Sequence, residues 1–113
     1  MPTGKIDMIA VIFEVRPDPK KGRTYFELAA ALRKDVEKAD GFISVERFES
    51  LTEKGRYLSL SIWRDRTAVE KWYRHAKHGE AQAAGRKGVF RDYRIRVAEI
   101  FRDYTMKDGR PPV

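Results

Sequence analysis

Residues 6 to 15, Ile-Asp-Met-Ile-Ala-Val-Ile-Phe-Glu-Val, are apolar at odd and even positions alike over most of their length. Successive side chains of a β-strand point to opposite faces, so a run of this kind has to be covered on both sides. The chain must therefore place this segment at the centre of a sheet and find two layers to bury it. Every later element is constrained by that need.

Regular structure breaks sharply after this run. Arg16-Pro17-Asp18-Pro19-Lys20-Lys21-Gly22 holds two prolines, which remove backbone donors and push the residues before them away from helix. From Tyr25 the spacing predicts a helix: Tyr25, Leu28, Ala29, Leu32, Val36 and Ala39 recur every three or four residues, and Asp40-Gly41 supplies the stop. Phe42 to Ser50 alternates as a strand, Thr52-Glu53-Lys54-Gly55 makes a polar turn, and Arg56 to Trp63 alternates again, which reads as an antiparallel hairpin. Asp65 or Thr67 caps a second helix, since Thr67-Ala68-Val69-Glu70 has capping-box spacing, and its inward residues are Val69, Trp72, Tyr73 and Ala76. Gly79 interrupts or bends this helix, and Glu80 to Lys87 continues it for another turn or two. Asp92 to Tyr104 is predicted as one long strand, with Arg94, Arg96, Ala98 and Ile100 on one side of it, and residues 105–113 as a flexible tail.

The order is β-α-β-β-α-β, a ferredoxin-like α+β arrangement: a four-stranded antiparallel sheet with both helices on one face. At 113 residues and 42% apolar the chain supports one core, so it reads as a single domain over residues 1–113 with its core at about 6–104. Two helices cover only one side of a central strand that needs covering on both. A second copy of the chain is the economical cover, giving a homodimer through the open sheet face, with the pocket of each subunit between its sheet and its second helix.

Composition removes several function classes. With no cysteine there is no disulfide, thiolate catalysis, iron–sulfur cluster or Cys-ligated zinc, and with two histidines metal chemistry has little to work with. The net charge of +7 is dispersed among acids, apart from the acid-poor stretch Lys77 to Arg96, so it reads as a solvated surface rather than a nucleic-acid interface. Strand three, Tyr57-Leu58-Ser59-Leu60-Ser61-Ile62-Trp63, also lacks the Gly-aromatic core of an RNA-stacking motif. No apolar stretch is long enough to span a bilayer and Met1 to Asp7 has no apolar signal region, so a cytoplasmic protein is expected.

Gly41-Phe42-Ile43-Ser44-Val45 opening strand two, Ile62-Trp63-Arg64-Asp65 ending strand three, Ala68 through Trp72 on the second helix and the aromatic final strand around Tyr93 resemble the antibiotic-biosynthesis monooxygenase family, a branch of the dimeric α+β-barrel proteins. The resemblance covers about residues 6 to 104. It implies either a cofactor-independent oxygenase of phenolic or quinol substrates, or a haem-degrading enzyme. The haem branch places an Asn on strand one, a Trp on the second helix and an axial His about ten residues later. Trp72 matches the Trp, but the later position is Gln82 and the chain has no asparagine. The resemblance therefore favours a monooxygenase without a cofactor, acting on an aromatic, phenolic or quinol-like substrate. A haem held by a displaced ligand, His75 or His78, is the lesser alternative.

Oxygenation of such a substrate needs a proton acceptor near neutral pH and a donor for the developing anion. His75 and His78 are the only side chains with an ordinary pKa in that range and are the catalytic candidates; three apart on a helix, they share neighbouring positions on one face, yet capping or solvent exposure suits them equally. Trp72, Gln82, Arg86 and Trp63 are the substrate-contacting candidates. Trp72 serves equally as core, Gln82 as a surface helix residue and Arg86 as a helix C-terminal cation, while Trp63 and Tyr57 either pack in the dimer interface or line the sheet. Arg94 and Arg96 lie at an edge, in a dimer salt bridge or around an anion-accepting cavity. A non-catalytic dimeric module for a small hydrophobic or anionic ligand is the alternative to the enzyme.

Overall fold

The computed structural model describes residues 7–75 and 90–108. The first strand, β1 (Ile9–Pro17), is central in a four-stranded antiparallel sheet of order β2-β3-β1-β4, where β2 is Phe42–Glu49, β3 is Tyr57–Trp63 and β4 is Phe90–Glu99. The two-sided apolar pattern thus finds its expected place from Ile9 onward. Helix α1 (Gly22–Val36) lies between β1 and β2, and α2, seen over residues 66–75, follows β3. The ferredoxin-like α+β fold is the one expected. No helix among the described residues is long and apolar enough to cross a membrane.

Side chains opposite one another in a ladder share a face, so the register sorts the sheet into two sides. Ile9, Val11, Phe13 and Val15 of β1 stand with Trp63, Ser61, Ser59 and Tyr57 of β3 and with Glu99, Val97, Ile95 and Tyr93 of β4. This is the helix side. One core cluster joins Ile9 and Trp63 to Val36 of α1 and to Ala68 and Val69 of α2, and a second joins Val15 to Tyr25, with Phe13, Tyr57 and Phe90 packed around it. Rings of Tyr25, Phe26 and Tyr57 lie within 5.1 to 6.2 Å of one another, a separation at which edge-to-face and offset contacts are favourable.

Several local boundaries differ from the sequence expectation for physical reasons. The proline-rich break contains a short 3-10 turn, Pro19–Lys21, whose cap is Asp18, accepting from the Lys20 amide at 2.8 Å, and α1 starts directly after it at Gly22. The end of α1 comes at Val36, earlier than Ala39, because the amides of Lys38 and Ala39 bond three residues back to Asp35 and Val36, tightening the last turn. Ala39 still packs on the core from that turn. The final strand was expected over Asp92 to Tyr104, but it pairs from Phe90 and ends at Glu99. Glu99 is opposite Ile9, where β1 begins; one further bond, from the Ile100 amide to the Met8 carbonyl at 3.0 Å, closes the ladder, and the alternation beyond it meets no strand among the described residues. Within the tail expected to be flexible, Met106–Asp108 form a 3-10 turn in which the Thr105 hydroxyl donates to Asp108 at 3.2 Å.

Candidate functional site

The corner that fixes α2 against the sheet is built from four residues. Gly41 has φ of 84°, a left-handed conformation, and a Cβ at this position would collide with the Cβ of Ala68. Its carbonyl accepts from the Arg64 amide at 2.7 Å, and the Arg64 guanidinium pairs with Asp40 at 3.0 Å and Asp65 at 3.1 Å. Asp65, rather than Thr67, is the cap of α2: its carboxylate accepts from the Ala68 amide at 2.9 Å. That bond, followed by the Arg64 cation, holds the Asp65 carboxyl below its ordinary pKa. Arg64 does the same for Asp40.

From this corner α2 carries Ala68, Val69 and Trp72 toward the sheet at three- and four-residue spacing. Tyr73, expected to face inward, is 43% exposed, because the next position along a helix is rotated about 100° away from Trp72. Ala76, the other residue expected to face inward, lies outside the described residues.

A file of rings runs outward from the core. Trp63 is completely buried, and its indole N–H donates to the Ser61 hydroxyl at 2.9 Å. Trp72 is half-buried and stacks on Trp63 at 6.1 Å, and the exposed His75 ring lies 5.5 Å beyond it. Trp63 was expected to touch substrate, to pack in a dimer interface or to line the sheet. Its burial on the helix side makes it the backing of a wall whose accessible layer is Trp72.

On the same side of the sheet as this wall lies the helix side of β4. Tyr93, Ile95 and Val97 point to that side, yet they are 56%, 39% and 55% exposed. Beside them stand Phe13 and Val11 of β1, with the Phe13 ring 5.9 Å from Tyr93. The result is an apolar trough along β1 and β4. Phe90, 5.8 Å from both Phe13 and Tyr93, closes one end, and an ion pair between Arg66 of α2 and Glu99 of β4, at 2.8 Å, bridges the other. Sequence reasoning named Trp72 and His75 but overlooked Phe13, Ile95 and Val97, whose alternation was visible and whose degree of exposure was not.

His78, Gln82 and Arg86 lie outside the described residues, so the site has one placed titratable candidate, His75. Among the described residues no group of three or more His, Asp or Glu is arranged to hold a metal ion. For a haem they offer one imidazole, on the exposed side of Trp72, and on the helix side of β1 only Ile9, Val11, Phe13 and Val15, none with a polar group. That donor set does not fit an enclosed haem, which needs an axial ligand directed into its pocket. Arg94 and Arg96 project to the other side of the sheet, level with Glu14 and Ile12, and are therefore not part of the trough.

Comparison with known proteins agrees with the fold. The sequence model of a family described as antibiotic biosynthesis monooxygenase matches residues 8–84. The jasmonate monooxygenase ABM of Pyricularia oryzae is 45% identical over 93 residues, which cover 82% of this chain and 43% of that protein. The chain thus spans less than half the length of that relative. The uncharacterized protein YqjZ of Bacillus subtilis is 31% identical over 101 residues, covering 88% of this chain and 85% of that one. Among solved structures, Rv0793 from Mycobacterium tuberculosis superposes with a TM-score of 0.72 at 21% identity, over 88% of this chain and all of that chain (100%), which supports the fold.

Proposed function

Because the chain belongs to the antibiotic biosynthesis monooxygenase family, we propose that it is a small monooxygenase that oxidises an aromatic, phenolic or quinol-like molecule in the trough between β1, β4 and α2, without a bound cofactor. The observation that carries this reading is the exposed apolar stretch Tyr93, Ile95 and Val97 on the same side of the sheet as the Trp72 wall. Such a surface offers contact area and a low dielectric to a flat, weakly polar substrate, and a monomeric protein rarely leaves apolar side chains of this size open without a use. The relative named a jasmonate monooxygenase supports oxygen insertion as the type of reaction.

In the proposed reaction an activated CH2 of a phenolic ring system loses a proton to a base, and the resulting carbanion gives one electron to O2. Recombination of the radical pair forms a C–O bond and a hydroperoxide, which loses water to leave a carbonyl. The sum is CH2 plus O2 giving C=O plus H2O, so no outside reductant is needed. The chain has to supply a base and a dry surface. His75, packed against Trp72, is the proton acceptor of this scheme, with His78 as its companion, Gln82 as a donor to the oxyanion and Arg86 as the anchor of an anionic substituent. Each subunit works within a homodimer formed through the open sheet face.

The test is oxygen uptake by purified protein with a panel of quinols and polycyclic phenols, run beside a titration with hemin. Substrate-dependent uptake that falls about 100-fold in His75→Ala, and in Trp72→Ala shows a raised KM, is the expected result. Uptake unchanged in both variants removes this site from the reaction. Tight binding of panel compounds without uptake replaces the enzyme by a ligand-binding module. A stoichiometric hemin complex lost in His75→Ala restores a haem role.

A further inference from the structure

The open face of the sheet is apolar at its centre, where Ile12 of β1 and Leu58, Leu60 and Ile62 of β3 stand on adjoining levels. Toward one end it is ionic. The two oxygens of Glu14 accept from Arg96, at 2.7 Å, and from Arg56, and Arg16 is shared between Glu53 and Asp92, the latter at 2.8 Å. Two charges of this face have no counter-ion among the described residues: Glu46 and Arg94. They have opposite signs and sit on β2 and β4, the two edge strands.

We infer that the open face docks a second copy of this chain in one register, in which Glu46 of each copy pairs with Arg94 of the other. The inference rests on the sheet-to-sheet dimer proposed above and adds what fixes its geometry. A two-fold axis lying between the sheets and parallel to the strands turns one sheet onto the other, keeps every residue at its level and exchanges the edges, so that β2 of one copy covers β4 of its mate. Glu46 shares a level with Leu60, Ile12 and Arg96, and Arg94 is one level further along, with Glu14, Leu58 and Phe48. Two residues of strand make an offset of roughly 7 Å, which the arginine side chain and the sheet twist span together. The occupant is a second copy because the face complements itself: Glu14, Glu46, Glu53 and Asp92 balance Arg16, Arg56, Arg94 and Arg96, and the two unmatched members match each other across the axis. A face whose apolar centre alone drove association would leave the register free, whereas two buried unlike charges admit one arrangement and penalise the rest.

Sedimentation equilibrium of the full chain tests this with four variants: Glu46→Arg, Arg94→Glu, the double exchange, and Leu60→Glu at the centre of the face, each checked for native circular dichroism. Each single exchange creates two like-charge contacts per dimer and is expected to weaken association at least about tenfold, with the double exchange returning to within about threefold of the parent and Leu60→Glu giving a monomer. Single exchanges without effect, or a double exchange that fails to recover, overturn the register; if Leu60→Glu is then monomeric, the sheet-to-sheet dimer still stands. A dimer that persists in folded Leu60→Glu overturns the docking face and the register together.

Discussion

At the scale of single residues, Gly41 and the two tryptophans separate what the sequence could convey from what it could not. Gly41 reads from sequence as a helix stop, and the structure adds that its hydrogen is all that fits beneath Ala68. Gly41→Ala is expected to cost about 2 kcal/mol or more, from the left-handed backbone and the displaced helix together, measured as a lowered urea midpoint at unchanged slope. Alternation along strand three put Trp63 on the same side as Tyr57, but alternation has no sign: it cannot say which side meets the helices. Register with β1 supplies that sign and sends Trp63 to the core. Trp63→Ala should therefore lose about 3 to 5 kcal/mol of stability, and Trp72→Ala clearly less, since the half-buried ring leaves a smaller void. Equal losses in the two variants, by equilibrium denaturation, would refute the division into backing and accessible wall.

At the scale of elements, types and order were legible and several ends were not. Periodicity in α1 and alternation in the hairpin are local, so they survive in sequence. The end of β4 is set by the start of β1, a residue some 90 positions away in the chain, and the alternation from Ile100 to Tyr104 continues past the last partner among the described residues. The cap of α2 shows a subtler limit: Thr67 has the better motif, yet the turn from β3 begins the helix at residue 66 and leaves Asp65 as the residue whose carboxylate meets the Ala68 amide. That contact makes a prediction about acid. With its folded-state pKa held below the unfolded value of about 3.9, Asp65 stabilises the fold above that pH, and the contribution is lost as pH falls through the lower, folded-state value. Thermal midpoints between about pH 4 and pH 2 should fall less steeply in Asp65→Asn, which keeps an acceptor oxygen but cannot titrate. Parallel slopes would show that the cap does not contribute to acid unfolding.

At the scale of the whole molecule, one paradox of the sequence organises everything: a central strand apolar on both sides in a chain with helices for one side only. The fold follows from it, and so does the expectation of a second copy. The trough was foreseeable only in outline, as a space between sheet and second helix, because its openness depends on which rungs of β4 the helices reach. Val97 and Tyr93 look like core in the sequence and are half-open in the folded chain.

The position of those residues on an edge strand has a consequence for how such a protein diversifies. The tightly packed clusters draw on β1, β3, α1 and α2, and none of Tyr93, Ile95 or Val97 is among their buried members. On the proposed reading of the trough, substitutions along the helix side of β4 therefore change the shape offered to a guest molecule while leaving thermodynamic foldedness nearly untouched. Under that proposal robustness and selectivity reside on different strands of one sheet, and a lineage built this way is free to explore new substrates without first acquiring surplus stability.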